Sequence, residues 1–181
     1  MRIPTLFLLF LFACCLSTTA QHQITEDDLL RPSRLLEGEL TAGRTNQSVS
    51  FQKGKRNKLS IHQDQAGSGQ AVNLAQTHQQ GRHNQIQLSQ QGTGNQTAVI
   101  QQGNKNVVNS TVAGQDNRTL IVQQGNRNRV DQDIQNSSEI TSELIQVGND
   151  NHIIQELNAR HSKKFKIIQH GNNLKATIRQ N

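Results

Sequence analysis

Polar and apolar residues alternate along most of this chain in a unit that recurs at a period of about 11 residues. The clearest copies begin with Gln-x-Gly-x-x-Asn, continue with two alternate aliphatic positions and close with a Gln that opens the next copy. Residues two apart share one face of a strand, so the Asn, the aliphatic residues and the closing Gln point the same way. The positions between them are mostly polar, as at Lys58, Ser60 and His62. The glycine segment predicts a tight turn, so each unit is predicted to be one strand and one turn.

The five strongest copies show how the units pair. They begin at Gln79, Gln101, Gln123, Gln146 and Gln169, so that each copy starts two units after the one before it. The structural repeat is therefore predicted to be a rung of about 22 residues, made of two units. About twelve units fill residues 41–181, and those near 41, 135 and 158 are degenerate. The predicted fold class is all-β: a β-solenoid of stacked strand-turn-strand rungs that gives cross-β amyloid on assembly.

Stacking explains why the interior can hold amides. Rungs about 4.8 Å apart let identical amides hydrogen-bond along the stack, whereas an unpaired buried amide costs about 1–3 kcal/mol. A copy read from Gln65 places Gly67 in a turn and Gln70 at the Asn position. The expected amyloid-core ladder comprises Gln52, Asn57, Gln63, Gln79, Asn84, Gln90, Asn95, Gln101, Asn106, Asn117, Gln123, Asn128, Gln146, Asn151, Gln169 and Gln180. The expected turn glycines are Gly54, Gly67, Gly81, Gly92, Gly103, Gly114, Gly125, Gly148 and Gly171.

Composition argues against an ordinary globular enzyme. Aromatic residues make up 3% of the chain, Trp and Tyr are absent, and 26 Gln and 18 Asn dominate. Such a composition also fits low-complexity disorder, but disorder does not explain a register that holds from unit to unit along most of the chain. A monomeric β-solenoid such as an ice-binding protein is a second alternative. It would need a regular outward array such as Thr-x-Thr, whereas the outward positions here vary in charge.

The segment 1–20 has the features of a signal peptide. The apolar run 3–16 follows one positive charge, and small Thr18 and Ala20 have the spacing that signal peptidase reads, which predicts cleavage after Ala20. The run is too short to span a bilayer, which takes about 20 helical residues. Cys14 and Cys15 both fall inside this segment, so no disulfide is expected after cleavage. Lipoprotein processing at Cys14 is the alternative, which the neighbouring bulky residues disfavour.

Charge divides the remaining chain. Residues 21–40 carry five acidic and two basic residues and are interpreted as an acidic leader for export. Residues 41–181 carry 16 basic and 8 acidic residues, which favours unspecific contact with an anionic surface or polysaccharide. Few aromatics remain to stack on bases, so specific nucleic-acid binding is not expected. The last rung, 157–181, has no acid and is expected to serve in surface anchoring or nucleation, or to be a cap on a β edge. Its cations are Arg160, Lys163, Lys164, Lys166, Lys175 and Arg179.

No catalytic or metal-binding constellation is found in the sequence. The seven His residues lack a recurrent ligand spacing, so no metal and no cofactor is expected. Asp131 and Asp133 share an exposed strand face without an apolar wall that would separate their pKa values, which indicates solvated charges. Phosphate-binding loops and nucleophile motifs are absent as well. The chain is therefore predicted not to be an enzyme.

The tandem Gln-x-Gly-x-x-Asn-x-(Ala/Val/Ile)-x-x-x-Gln pattern behind a signal peptide and a leader resembles the curlin repeats of bacterial curli subunits, over about residues 41–181. The resemblance implies a functional amyloid, exported through a dedicated outer-membrane pore with accessory factors, that serves in extracellular fibres for adhesion and biofilm. The implied partners are other curlin subunits, both copies of itself and a major subunit. Asn46, Asn73, Asn95 and Asn117 stand where the major subunit usually has Ser. That difference, the absent Tyr, the strong half-period of one unit and the basic last rung are more similar to the minor, nucleating subunit.

Overall fold

The computed structural model describes residues 45–65, 71–158 and 163–180, and these ranges contain strands and turns without any helix. Residues 1–20, the leader 21–40 and Arg160 lie outside them. Within the described ranges, no helix is long and apolar enough to cross a membrane. The strands are β1 (Gln47–Lys55), β2 (Lys58–Asp64), β3 (Leu74–Arg82), β4 (Gln85–Thr93), β5 (Gln96–Asn104), β6 (Val107–Gln115), β7 (Arg118–Asn126), β8 (Arg129–Ser138), β9 (Ile140–Asn149), β10 (His152–Asn158), β11 (Lys163–His170) and β12 (Lys175–Gln180).

The strands form two parallel sheets that face each other. The first sheet contains the odd-numbered strands in the order β1-β3-β5-β7-β9-β11, and the second contains the even-numbered strands from β2 to β12. One strand from each sheet makes one rung. Gln101 pairs with Gln79 on one side and with Gln123 on the other, which confirms that two units make one rung. The prediction of an all-β solenoid of stacked rungs is confirmed with it.

Each reversal that lies wholly in the described ranges uses two residues with positive φ, where the sequence predicted one. Gly103 has a φ of 111°, and Lys105, directly before Asn106, has a φ of 58°. The second position is left-handed and is filled by non-glycine residues in most turns, for example by Arg127 at 57°. Left-handed backbone costs an ordinary residue about 1–2 kcal/mol, so the surrounding structure must hold it. In most of these turns the asparagine that follows does so through hydrogen bonds to the turn.

The interior is a narrow apolar core between the two sheets. Its residues come from the alternate positions that the sequence placed inward, and they are mostly β-branched or small, which suits closely facing sheets. The main cluster comprises Ala75, Ile86, Leu88, Val99, Val108, Ile121, Val130, Leu144 and Ile153. A second cluster of Val112, Ile134, Ile140 and Leu157 lies at one side of the core, with Phe165 and Ile178 packed against it.

The register read from Gln65 is wrong. Gln47 pairs with Leu74, so the first rung is longer than the rungs that follow it. Asn73 occupies the Asn position, is fully buried and donates from Nδ2 to the carbonyl oxygen of Gly92 at 2.9 Å. The reason is the spacing to the next Gln: Asn73 stands before Gln79 at the same distance as in the other units. Gly67 and Gln70 lie outside the described residues.

The degenerate unit near 135 contains a β-bulge. The pairing of β6 with β8 shifts between Val112 and Gly114, and Ser137 then pairs with Gly114. Asn136 adopts a φ of 48° at this bulge. One extra residue in β8 therefore accounts for the longer interval between Gln123 and Gln146.

Candidate functional site

A glutamine ladder crosses all six rungs of the first sheet. Each Nε2 donates to Oε1 of the glutamine in the next rung, at 2.6 Å from Gln52 to Gln79 and at 2.8–2.9 Å for the following pairs. The second N–H of Gln101 donates to the main-chain oxygen of Gln85 at 3.1 Å. The donors and acceptors of the inner members are thus satisfied at zero exposure, which removes the usual cost of burying an amide. The ladder comprises Gln52, Gln79, Gln101, Gln123, Gln146 and Gln169.

A second ladder, the corner asparagines of the second sheet, fastens each turn to the next rung. Asn106 illustrates the pattern, because its Oδ1 accepts from the main-chain N of Asn128 at 3.0 Å. Its Nδ2 donates to the carbonyl oxygen of Gly125 at 2.9 Å and to that of Gln102 at 3.2 Å. One side chain therefore closes its own turn and binds the following one. The set comprises Asn57, Asn84, Asn106, Asn128 and Asn151.

The first sheet has its own corner asparagines, which stop before the last two rungs. They are Asn46, Asn73, Asn95 and Asn117, and the last bond of the set runs from the main-chain N of Ile140 to Oδ1 of Asn117 at 3.0 Å. Only Asn95 and Asn117 of these four stood in the expected ladder. Asn46 and Asn73 were missed, although both stand at the usual distance before a ladder Gln, which was the available signal.

Glutamines of the second sheet do not form a full ladder. Gln63 donates to Gln90 at 2.7 Å, but the same column continues with Val112, Ile134 and Leu157. The expected place of Gln180 in a ladder is therefore wrong, because Gln180 pairs with Leu157, which has no amide to share. The prediction for β12 rests on its Gln alone, whereas the column that Gln180 joins is apolar from Val112 onward.

The amides of this sheet move inward by one position instead. Ser110 donates to Oε1 of Gln132 at 2.6 Å, and Gln132 donates to Oε1 of Gln155 at 2.8 Å and to Ser142 at 3.1 Å. Gln132 and Gln155 were absent from the expected ladder, although their units show one aliphatic position fewer before the closing Gln. Among the described residues Nε2 of Gln155 has no acceptor, since Ile178 follows it in the column.

A further ladder lies on the turns and was also missed. Asn104 donates from Nδ2 to Oδ1 of Asn126 at 3.0 Å, and Asn126 donates likewise to Asn149 at 3.0 Å. Asn149 donates in turn to Asn172 at 3.2 Å. The signal in the sequence is a Gly-Asn pair in four rungs, at positions that face outward on the turns.

The described turn glycines stack so closely that none has room for a side chain while a rung follows. A Cβ built on Gly103 would lie 2.0 Å from the carbonyl oxygen of Gly125. A Cβ on Gly171, which no described rung follows, would meet only a side-chain carbon of Leu174 at 3.6 Å. The first-sheet column is Gly54, Gly81, Gly103, Gly125, Gly148 and Gly171, and Gly92 and Gly114 belong to the second sheet.

The outer faces of the two sheets differ. The polar outward positions named from the sequence belong to the second sheet, whereas one outward row of the first sheet is apolar in five of six rungs. Phe51 and Ile168 are exposed at the ends of this row, and the ring of Phe51 stacks on His78 at a centroid distance of 4.9 Å. The outward pattern of the second-sheet unit therefore does not hold for the first-sheet unit of the same rung. The row is Phe51, His78, Ile100, Val122, Ile145 and Ile168.

The basic end is partly neutralised by the preceding rung. Lys166 forms an ion pair with Glu143 at 2.9 Å, and Arg179 forms one with Glu156 at 2.8 Å. All four side chains are at least a quarter exposed, so each pair stabilises the fold by roughly 0–1 kcal/mol. The net charge around the last rung is thus lower than the charge of its own residues indicates. Its cations in the described ranges are Lys163, Lys164, Lys166, Lys175 and Arg179.

Asp131 is the centre of a polar cluster on the outer face of the second sheet. It accepts hydrogen bonds from Arg129 at 2.6 Å and from Asn109 at 2.9 Å, and its Oδ2 lies 2.8 Å from Nε2 of His152. Partial burial raises the pKa of Asp131, but the bonds from these three residues outweigh it and lower the pKa to about 2. The expectation of a merely solvated charge is therefore wrong for Asp131.

The lowered pKa predicts an acid dependence of stability. A carboxylate with a pKa below its unfolded value contributes stability above about pH 4, and this contribution is lost as the pH falls through about 2. We expect a loss of about 1–2 kcal/mol after allowance for solvent screening. Denaturant unfolding at a series of pH values should show this step in the native chain and not in Asp131→Asn. A step of equal size in that variant would assign it to other carboxylates, and Asp133→Asn is the matched control.

Neither a family model, nor a curated protein, nor a solved structure matches this chain. Among the described residues, no group of three or more His, Cys, Asp or Glu side chains could hold a metal ion. The candidate functional features are therefore the ladders themselves and the two end rungs where they are interrupted.

Proposed function

We propose that this protein is a secreted, curli-type amyloid subunit that nucleates or joins extracellular cross-β fibres. The observation that carries the proposal is the glutamine ladder, which runs through all six described rungs, from Gln52 in the first to Gln169 in the last. A ladder that ends at an open edge presents the next rung with the same donors and acceptors that hold the rungs together inside the chain. Open parallel edges recruit further strands for the same reason.

Two further features support polymerisation over a solitary solenoid. The first sheet is parallel and keeps each ladder Gln and each turn Gly aligned from rung to rung, which is the geometry of a cross-β stack. The four edge strands β1, β2, β11 and β12 carry no proline and no bulge, which are two of the devices by which proteins block sheet edges. The resemblance of the repeats to curlin agrees with both features.

We propose the following route and setting for the protein. Residues 1–20 direct export and residues 21–40 engage the outer-membrane secretion pore and its accessory factors. The assembled protein then lies at the cell surface, in fibres that serve adhesion and biofilm, with self and a major curlin subunit as partners. It is not an enzyme and needs no cofactor, and its excess of basic residues permits unspecific contact with an anionic polysaccharide.

The test is assembly of purified residues 21–181 under native conditions. We expect fibres that bind thioflavin, give a cross-β reflection at about 4.8 Å and shorten the lag of fresh chain when added as fragments. A chain that stays monomeric at high concentration and melts reversibly would contradict the proposal. It would favour the alternative, a non-polymerising secreted β-solenoid of the adhesin or ice-binding type.

A further inference from the structure

The hydrogen bonds between rungs run in one direction along two of the ladders. In the first sheet each Gln Nε2 donates toward the next rung, as from Gln79 to Gln101. In the second sheet each corner Asn offers Nδ2 to the following glycine oxygen and Oδ1 to the following main-chain N, as Asn84 does to Gly103 and Asn106. The Gln and Asn side chains of one rung therefore bind groups of the rung that follows it, and its own groups are bound by side chains of the rung before it. The two ends of the stack are chemically different surfaces.

The described residues of the first rung present receiving positions for two ladder glutamines and for both corners. Oε1 of Gln52 and Oε1 of Gln63 are the acceptors that a preceding Gln would fill, and no hydrogen bond from the described residues reaches either atom. The carbonyl oxygen of Gly54 and the main-chain N of Asn57 stand where a preceding corner Asn of the second sheet would bind. The main-chain N of Asn46 is the matching position for a corner Asn of the first sheet. Each of these groups is bound by the preceding rung in the interior of the stack.

The last rung does not present a complete offering surface. Leu174 stands at the corner position of the second sheet: its main-chain N donates to Oδ1 of Asn151 at 3.0 Å, but its side chain offers no amide onward and is 39% exposed. Lys163 stands at the corner position of the first sheet, two rungs after Asn117. The last rung therefore keeps its glutamines but lacks both corner asparagines.

We propose that assembly on this protein is polar, with the first rung, β1 and β2, as the binding surface. This inference rests on the proposed function and names the partner of its open edge. The partner is the last rung of another chain whose two corner asparagines and ladder glutamines are intact, because those groups fill the positions that the first rung leaves open. The last rung of a second copy keeps Gln169 but lacks both asparagines, so the native chain binds a second copy more weakly than it binds a more regular repeat chain.

The probe for this surface is the variant Lys163→Asn/Leu174→Asn, which restores both corners of the last rung. We expect it to elongate at least about tenfold faster than the native chain. Both restored side chains add an acceptor for a main-chain N–H across the contact, and the Leu174→Asn side chain also adds a donor for the carbonyl oxygen of Gly54. The control Lys164→Asn/Leu174→Ala makes the same change in charge without filling either corner. Equal acceleration by the control would attribute the effect to charge and overturn the role of the corners.

Two proline substitutions then test which end accepts the probe. N–H groups alternate in direction along a parallel strand, and the main-chain N of Gln47 donates toward β3, so the N–H of Ser50 faces the open edge of β1. By the same alternation the N–H of Thr177 faces the open edge of β12, because the main-chain N of His152 donates to Leu174. Proline at an edge removes such an N–H without breaking an internal ladder bond. Ser50→Ala controls for the lost contact between Ser50 and Thr77, which is 3.0 Å long.

Sub-stoichiometric native chain, Ser50→Pro, Ser50→Ala and Thr177→Pro are each added to the monomeric probe, and the lag of thioflavin fluorescence is measured. We expect the native chain, Ser50→Ala and Thr177→Pro to shorten the lag about equally, and Ser50→Pro to lose at least about nine-tenths of this effect. Loss of templating in Thr177→Pro instead, or equal templating by both proline variants, overturns the polarity and leaves the proposed function intact. Failure of the native chain to template a probe that forms fibres alone overturns both.

Discussion

Gly103→Ala should strongly destabilise the stack at the middle of the solenoid. The added Cβ would lie 2.0 Å from the carbonyl oxygen of Gly125, a backbone atom that cannot turn away without moving the next rung. The φ of 111° at Gly103 adds strain for any residue with a side chain. Together these effects should lower the free energy of unfolding by roughly 3–5 kcal/mol. Denaturant unfolding at low protein concentration, followed by circular dichroism, measures the loss.

The same substitution at Gly171 separates the clash from the backbone strain. Gly171 has a φ of 134°, so alanine is strained there as well, but the nearest atom is a flexible side-chain carbon 3.6 Å away. We expect Gly171→Ala to cost about 1–2 kcal/mol, less than half the effect at Gly103. Similar losses at the two sites would show that φ strain dominates and that rungs can separate to admit a methyl group.

Replacing Gln101 and Gln123 together by alanine should have the second largest effect. The change removes three consecutive amide bonds of 2.8–2.9 Å from a ladder at zero exposure. It leaves Oε1 of Gln146 without its donor and Nε2 of Gln79 without one of its two acceptors. An unsatisfied buried group costs about 1–3 kcal/mol and two cavities add to it, so we expect a loss of about 4 kcal/mol and slower fibre growth.

The matched control removes two exposed glutamines from the same part of the stack. Gln87 lies on the outer face of β4, and Gln124 directly follows the buried ladder residue Gln123 on β7. Both Gln87 and Gln124 are exposed. Gln87→Ala/Gln124→Ala removes the same atoms as the ladder variant and should change the free energy of unfolding by less than about 1 kcal/mol. Comparable losses from the two double variants would mean that glutamines stabilise the strands by their number and not by their stacking.

The sequence was sufficient for the fold because its signal is redundant. An error at one unit, such as the reading from Gln65, does not change the predicted fold. The units at Gln79, Gln101 and Gln123 still determine the strands, the inward face of each strand and the rung length. The same redundancy concealed the local departures. Where a column changes from Gln63 and Gln90 to Val112, the pattern of each unit still looks regular, and only the alignment of neighbouring rungs reveals the change.

The candidate site was harder to predict because it depends on directions and ends. A sequence states that Asn84 and Gly103 recur, but not that the amide of one binds the carbonyl oxygen of the other across a rung. The exchange of Asn for Leu174 was visible in the sequence as a weak final repeat. Its meaning, an end that offers fewer hydrogen bonds than it receives, requires the structure.

The short and nearly constant interval between paired strands also governs how the chain can fold. Each rung contacts its two neighbours, so the ordering of one rung demands closure of a loop no longer than the rung itself. Once a few rungs have formed, every later rung pairs with the open strands of the rung before it, at a nearly constant cost in chain entropy. In the proposed fibre, the addition of another molecule repeats that step with an intermolecular strand pair. In the proposed assembly, the slow step in starting a fibre is therefore the same as the slow step in folding a free chain. In both, the first rung must close without a neighbouring rung to pair with.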